Sequence, residues 1–163
     1  MFRSYERFVD FLAAITRSVM LVLTAVIFAV IMYAVFTRYV LDFVPSWSEE
    51  VPRYLLVWIS LLGTALAVDR KDHIGFDYLF NKLPEPARRV GALILNVGIF
   101  IMGLIMVVWG LRYTREFGAD LMESIPVTNW WLYTSLPVSG ALILLFLVRD
   151  ELRGIFALRQ SRR

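Results

Sequence analysis

Ser18-Val-Met-Leu-Val-Leu-Thr-Ala-Val-Ile-Phe-Ala-Val-Ile-Met-Tyr-Ala-Val-Phe-Thr37 contains no charged residue. Coiled as a helix, this stretch of about 20 residues measures roughly 30 Å, the thickness of a bilayer's hydrocarbon core. It is too long for a secretory signal core of about 7–15 residues. It also ends in Phe36-Thr37-Arg38 rather than in small residues, so it is expected to persist as a helix. Val90–Leu111 and Ser124–Val148 are further charge-free runs, and Pro137 with Gly140 predicts a kink in the second. Tyr54–Val68 is shorter, about 22 Å as a helix, and spans a bilayer only by borrowing the turn Trp47–Arg53. The expected fold class is therefore an all-α integral membrane protein with four transmembrane helices.

Composition agrees. Of 163 residues, 59% are hydrophobic and 19% charged, against about 45–50% and 25% in soluble domains. A globule of this size would lack the polar residues to cover its surface. With no cysteine, disulfides, thiolate metal sites and cysteine nucleophiles are excluded, and the single histidine, His73, excludes a bis-histidine haem within one chain. No cofactor, metal site or nucleic-acid partner is expected, and the chain does not read as an enzyme.

Lysine and arginine predict orientation. Arg3, Arg7 and Arg17 precede the first span, Arg70, Lys71, Lys82, Arg88 and Arg89 lie between the second and third, and Arg149, Arg153, Arg159, Arg162 and Arg163 follow the fourth. The other two connections hold only Arg38, Arg53, Arg112 and Arg115. Both ends and the middle loop are thus expected in the cytoplasm. Trp47, Trp109, Trp130 and Trp131 fall at the opposite ends of the spans, as an interfacial belt does, and Trp58 lies deeper. The expected organisation is one membrane domain over 1–163. Its spans run approximately over 18–40, 47–68, 87–111 and 124–148, and a basic cytoplasmic tail covers 149–163.

Residues 1–17 are amphipathic, with Tyr5, Phe8, Leu12 and Ile15 at helical spacing. They form either an inward extension of the first helix or a separate helix lying on membrane lipid. Ile74–Leu83 reads as a short interfacial segment, with Pro84 or Pro86 opening the third helix.

Ser46-Trp-Ser-Glu-Glu-Val-Pro-Arg53 carries the most chemistry. Ser46 and Glu49 have capping-box spacing, so the second helix is expected to start here, with Pro52 in its first turns. Glu49 and Glu50 lie four and three residues before Arg53, within reach of its guanidinium on one helix face; Arg38 and Asp42 are near enough in sequence to join them. Three readings stay open: a structural ion-pair cluster, one carboxylate left over for a partner subunit, or a proton or ion pathway through these acids, which their place at a membrane edge rather than its midplane disfavours. Arg70-Lys-Asp-His73-Ile-Gly-Phe-Asp77 is the second constellation. Its His73 and Asp77 lack the third ligand a metal needs, so hydrogen bonding or a subunit contact is expected there. Gly91 and Gly98, and Gly103 and Gly110, are each seven apart and mark sides of the third helix for close approach. The charge-free cores hold no acid or base, whereas ion-coupled transporters keep such groups near the midplane. Asn96 is the one carboxamide in those cores.

Thr37-Arg38-Tyr39-Val40, Trp47-Ser-Glu-Glu50, Arg53, Trp58, Gly63, Ala67 through Arg70, His73-Ile74 and Asp77 follow in an order that resembles the small membrane subunit of tripartite ATP-independent periplasmic (TRAP) transporters. Ser124-Ile-Pro126, Trp131, Tyr133 and Leu136-Pro137 are similar to the start of that family's fourth helix. The likeness to this DctQ-like, or Q, subunit covers roughly residues 17 to 150, and Asp69 departs from the neutral or basic residue expected before Arg70. The resemblance implies a subunit that scaffolds a large, sodium-driven, elevator-type membrane subunit (M) in the bacterial inner membrane. A periplasmic substrate-binding protein (P) then delivers a carboxylate such as a dicarboxylate or a sialic acid, and the small subunit contributes to its docking. On this reading Arg38, Trp47, Glu49, Glu50, Arg53, Trp58, Arg70, His73 and Asp77 serve structure and subunit contact. Two other classes compete: a self-contained homodimeric four-helix exporter relying on Glu49 or Glu50, and a non-haem membrane redox subunit.

Overall fold

The computed structural model describes residues 2–70 and 85–161. Four long helices account for most of them: α1 (Phe2–Val40), α2 (Glu50–Arg70), α3 (Glu85–Phe117) and, after the single turn α4 (Trp130–Tyr133), α5 (Ser135–Ser161). All four are long and apolar enough to cross a membrane. Among the described residues there is no strand, only an isolated bridge between Leu121 and Thr128.

Several boundaries differ from expectation, each for a local reason. Residues 2–17 are continuous with the first span, so the amphipathic stretch extends α1 to 39 residues, about 58 Å. Of the apolar stripe in this stretch, Tyr5 packs against the core and Leu12 is half-buried. Val9, Ala13 and Thr16 are buried while Phe8 and Ile15 are exposed, because small side chains let α1 approach its neighbours. Ser46 does not cap α2. It opens a 3₁₀ turn, Ser46–Ser48, whose N-cap position is Pro45 and which has no side-chain cap. The fourth span becomes helical only at Trp130. Residues 120–129 instead fold back as a hairpin, with Met122 donating to the Val127 carbonyl at 2.8 Å and Asn129 to that of Asp120 at 2.8 Å. The expected kink is a break at Thr134, which leaves Pro137 in the first turn of α5, where no backbone N–H is needed. Beyond Val148, the expected tail continues α5 as far as Ser161. Pro86 lies in the first turn of α3, while His73, Asp77, Pro84 and the expected interfacial segment lie outside the described residues.

The long helices alternate in direction and stand in a row, α1–α2–α5–α3, rather than closing into a bundle. The inner pair therefore carries most of the core: Leu62, Ala65 and Leu66 from α2, and Ile143, Phe146 and Leu147 from α5. The edges are bare. No residue in the most apolar window of α1 is buried, and α3 contributes only Met106 to the core. In water such edges would be prohibitive, but lipid solvates them.

Two of the glycine expectations mark the α3–α5 seam. A Cβ on Gly110 would stand 2.8 Å from Pro137 Cδ, and one on Gly103 would meet Leu144 at 3.0 Å. Across the seam, a Cβ on Gly140 would come within 2.9 Å of the Gly103 carbonyl oxygen. Gly98 has open space in front of it, because it lies about 140° round α3 from Gly103 and faces away from the seam.

Candidate functional site

At the hairpin end, the 3₁₀ turn delivers Glu49 and Glu50 to opposite surroundings. Glu50 is buried. Its Oε1 accepts the Tyr54 hydroxyl and the Glu123 amide (3.1 Å), and its Oε2 accepts the Ser124 amide (2.7 Å). One carboxylate thereby ties the hairpin to the first turn of α2, giving both hairpin amides a charged acceptor. Glu49 is exposed and meets Arg38 at 3.5 Å. The expected pairing of either acid with Arg53 is not formed. Arg53 is exposed, and among the described residues it makes no ion pair. Asp42 stands apart from the cluster, at φ 49° in the turn that leaves α1.

Aromatic contacts brace the same end. Trp47 stacks on Tyr33 with ring centroids 5.7 Å apart. Trp58, the deep tryptophan, donates its indole N–H to the Trp131 carbonyl at 2.9 Å and packs against that residue's ring. The break at Thr134 removes the continuous helical pattern around this carbonyl, and Trp58 supplies its donor. Between the hairpin and α2 lies a polar cleft of about 380 Å³, lined among others by Ser46, Glu49, Arg53, Tyr54, Glu123 and Asn129.

A second charged cluster, at the end carrying both termini, escaped the sequence reading. Arg149 is only 3% exposed. It donates to Asp10 of α1 at 2.8 Å, to Asp69 of α2 at 2.6 Å and to Asp150 at 3.1 Å. Arg153 continues the network to Glu6 at 2.7 Å and Asp10 at 3.2 Å. Asp69, the departure from the expected pattern, is thus one anchor of the arginine. The available signal was a charge of either sign at the terminal-side boundary of three spans. Arg70 ends α2; its side chain, His73 and Asp77 lie outside what the structure describes.

Neither cluster offers a nucleophile beside a base, and among the described residues no group of three potential ligands is placed to hold a metal. What they can do is fasten helices: Glu50 joins α2 to the hairpin, and Arg149 joins α1, α2 and α5.

Comparison with known proteins places this architecture. Residues 27–157 match the family described as tripartite ATP-independent periplasmic transporters, DctQ component. The chain belongs to that family. Members are transport components and not enzymes. The sialic acid TRAP transporter small permease protein SiaQ of Vibrio cholerae is 30% identical over 136 residues, covering 83% of this chain and 76% of that one. The C4-dicarboxylate TRAP transporter small permease protein DctQ of Rhodobacter capsulatus is 27% identical over 100 residues, 60% of this chain and 44% of that protein. A third relative, the sialic acid TRAP transporter permease protein SiaT of Haemophilus influenzae, is 24% identical over 125 residues. That match takes 77% of this chain but 20% of the relative. The chain therefore spans less than half the length of two of these three. As a DctQ-family chain it is a small permease component of a TRAP transporter, and the hairpin and the Arg149 cluster are features of that component.

Proposed function

We propose that this DctQ-family chain is the small subunit of a sodium-coupled TRAP transporter in the bacterial inner membrane, importing a carboxylate-type solute. Its role is to scaffold a large elevator-type membrane subunit, with the hairpin end contributing to the docking of a periplasmic binding protein. The row of helices is the observation that carries this reading. Two edges, with Leu21 and Phe28 on α1 and Leu93 and Ile94 on α3 each at least 64% exposed, offer long apolar flanks to a membrane partner, while the span cores hold no acid or base for moving an ion. Two relatives add support, since the matching stretch fills only a fifth of SiaT and 17% of the isethionate TRAP transporter permease protein DctMQ of Oleidesulfovibrio alaskensis. In those proteins the small component is continuous with a larger permease.

The same reading puts the terminal end in the cytoplasm and the hairpin end in the periplasm, following the excess of lysine and arginine. Because the chain has no cysteine, single-cysteine reporters are clean. Thr128→Cys should react with an impermeant maleimide in intact spheroplasts, and Arg159→Cys only after permeabilisation. The scaffold role predicts co-purification with a larger multi-span protein and loss of solute uptake when this chain is deleted. Full uptake by the larger protein alone would overturn it.

A further inference from the structure

Toward the start of α3, next to the glycine seam, α3 and α5 border a groove of about 330 Å³. Leu93, Val97 and Phe100 line it from α3, and Leu147, Val148 and Leu152 from α5. The groove also holds a polar pair: the Asn96 side-chain amide donates to the Glu151 carboxylate. Asn96 lies in the charge-free run of α3, while Glu151, two residues past Arg149, stands at the terminal-side boundary of the α5 span and is exposed. No cation pairs with it among the described residues. An exposed carboxylate at that boundary, where lipid head groups lie, is stabilised by a positive group that meets it.

We propose that this groove binds a zwitterionic aminophospholipid, with its ammonium on Glu151 and one acyl chain along the apolar wall. The Asn96 amide nitrogen is spent on Glu151, which leaves its carbonyl oxygen, with the carboxylate, to accept the ammonium's three donors. The polar pair sits toward the terminal end, beside the Arg149 cluster, so on the orientation above the lipid belongs to the cytoplasmic leaflet. The shape argues for a chain rather than a protein helix. From Leu93 to Phe100 the groove covers only about 10 Å of α3, and it closes where Gly103 meets Leu144. Phosphatidylglycerol would set its phosphate charge against Glu151 with no ammonium to offset it.

The inference rests on the membrane-spanning reading of α3 and α5 and not on the transport role, so its test does not use uptake. The protein, purified with whatever membrane partner accompanies it, is reconstituted in nanodiscs of equal phosphatidylethanolamine, phosphatidylcholine and phosphatidylglycerol. It is then released for native mass spectrometry. Wild type should retain phosphatidylethanolamine severalfold over phosphatidylcholine, whose ammonium has no N–H, and over phosphatidylglycerol. Glu151→Gln should erase the preference. The wild-type lipid comparison needs no variant, so a misfolded Glu151→Gln does not blunt the test. Equal retention of the three lipids by wild type would overturn the proposal. So would cross-linking of Glu151→Cys to a protein neighbour with the lipid preference intact.

Discussion

At the hairpin end Glu50 accepts from two backbone amides and a tyrosine hydroxyl, whereas at the terminal end Arg149 donates to three carboxylates. The first arrangement places a single charge among neutral dipoles and fastens a loop to one helix. The second places a buried cation among several anions and fastens three helices. Removing the charge from Glu50 leaves only neutral groups behind. Removing it from Arg149 leaves carboxylates crowded together, two of them, Asp69 and Asp150, only 11% exposed. The two ends should therefore respond very differently to neutralisation.

Arg149→Leu is expected to have the largest effect, a loss of about 3–5 kcal/mol, because deleting one member of a buried ion cluster strands its partners. Thermal melting of the purified protein, or recovery of its complex, would show this. Adding Asp69→Asn should restore part of the loss, since one stranded charge goes with it. If the double variant were as unstable as the sum of the two single ones, the cluster would not be the coupled unit described here.

The difference between the ends also explains what could be read in advance. Four spans and their alternation were legible because charge-free runs of bilayer length have few other uses. Glu50 was legible as a member of a cluster, but its partners Glu123 and Ser124 lie 73 and 74 residues away. Local spacing pointed to Arg53 instead. Arg149 was illegible for a stronger reason. A basic residue just past a span is what orientation alone demands, so nothing marked this one as buried, and two of its three acids, Asp69 and Asp10, are 80 and 139 residues distant. The hairpin was hidden because an apolar run without charges reads as helix whether or not Pro126 turns it back. The order of the row was hidden too, since helices solvated by lipid need no polar face to betray which side meets a neighbour.

Glu50→Gln should act on the hairpin alone. A glutamine amide replaces one acceptor oxygen with donors, so it cannot serve all three partners at once. Hydrogen exchange at the Glu123 and Ser124 amides should accelerate, and protease should cut within residues 118–129 severalfold faster, with a smaller melting shift than Arg149→Leu. An equal loss of stability would mean that the hairpin is integral to the helix row. Trp58→Phe tests the same end more gently. It keeps a ring against Trp131 but removes the 2.9 Å bond to its carbonyl, for an expected cost of about 0.5–1.5 kcal/mol.

The smallest effect belongs to the ion pair that the sequence displays most openly. Arg38 and Glu49 are 3.5 Å apart with side chains 50% and 75% exposed, and a pair so well solvated contributes less than about 1 kcal/mol. Glu49→Gln should leave melting nearly unchanged, and the coupling in an Arg38→Gln/Glu49→Gln cycle should fade as salt rises. Next to Glu50, one residue further along the chain, this separates two uses of the same side chain. Glu50 is committed to the fold, while Glu49 stands on the wall of the polar cleft with most of its surface available. If Glu49→Gln lowers uptake or partner recovery at unchanged stability, Glu49 is the acid that faces a partner. If uptake, recovery and melting all stay at wild-type levels, the docking role assigned to this end must rest on other residues of the hairpin.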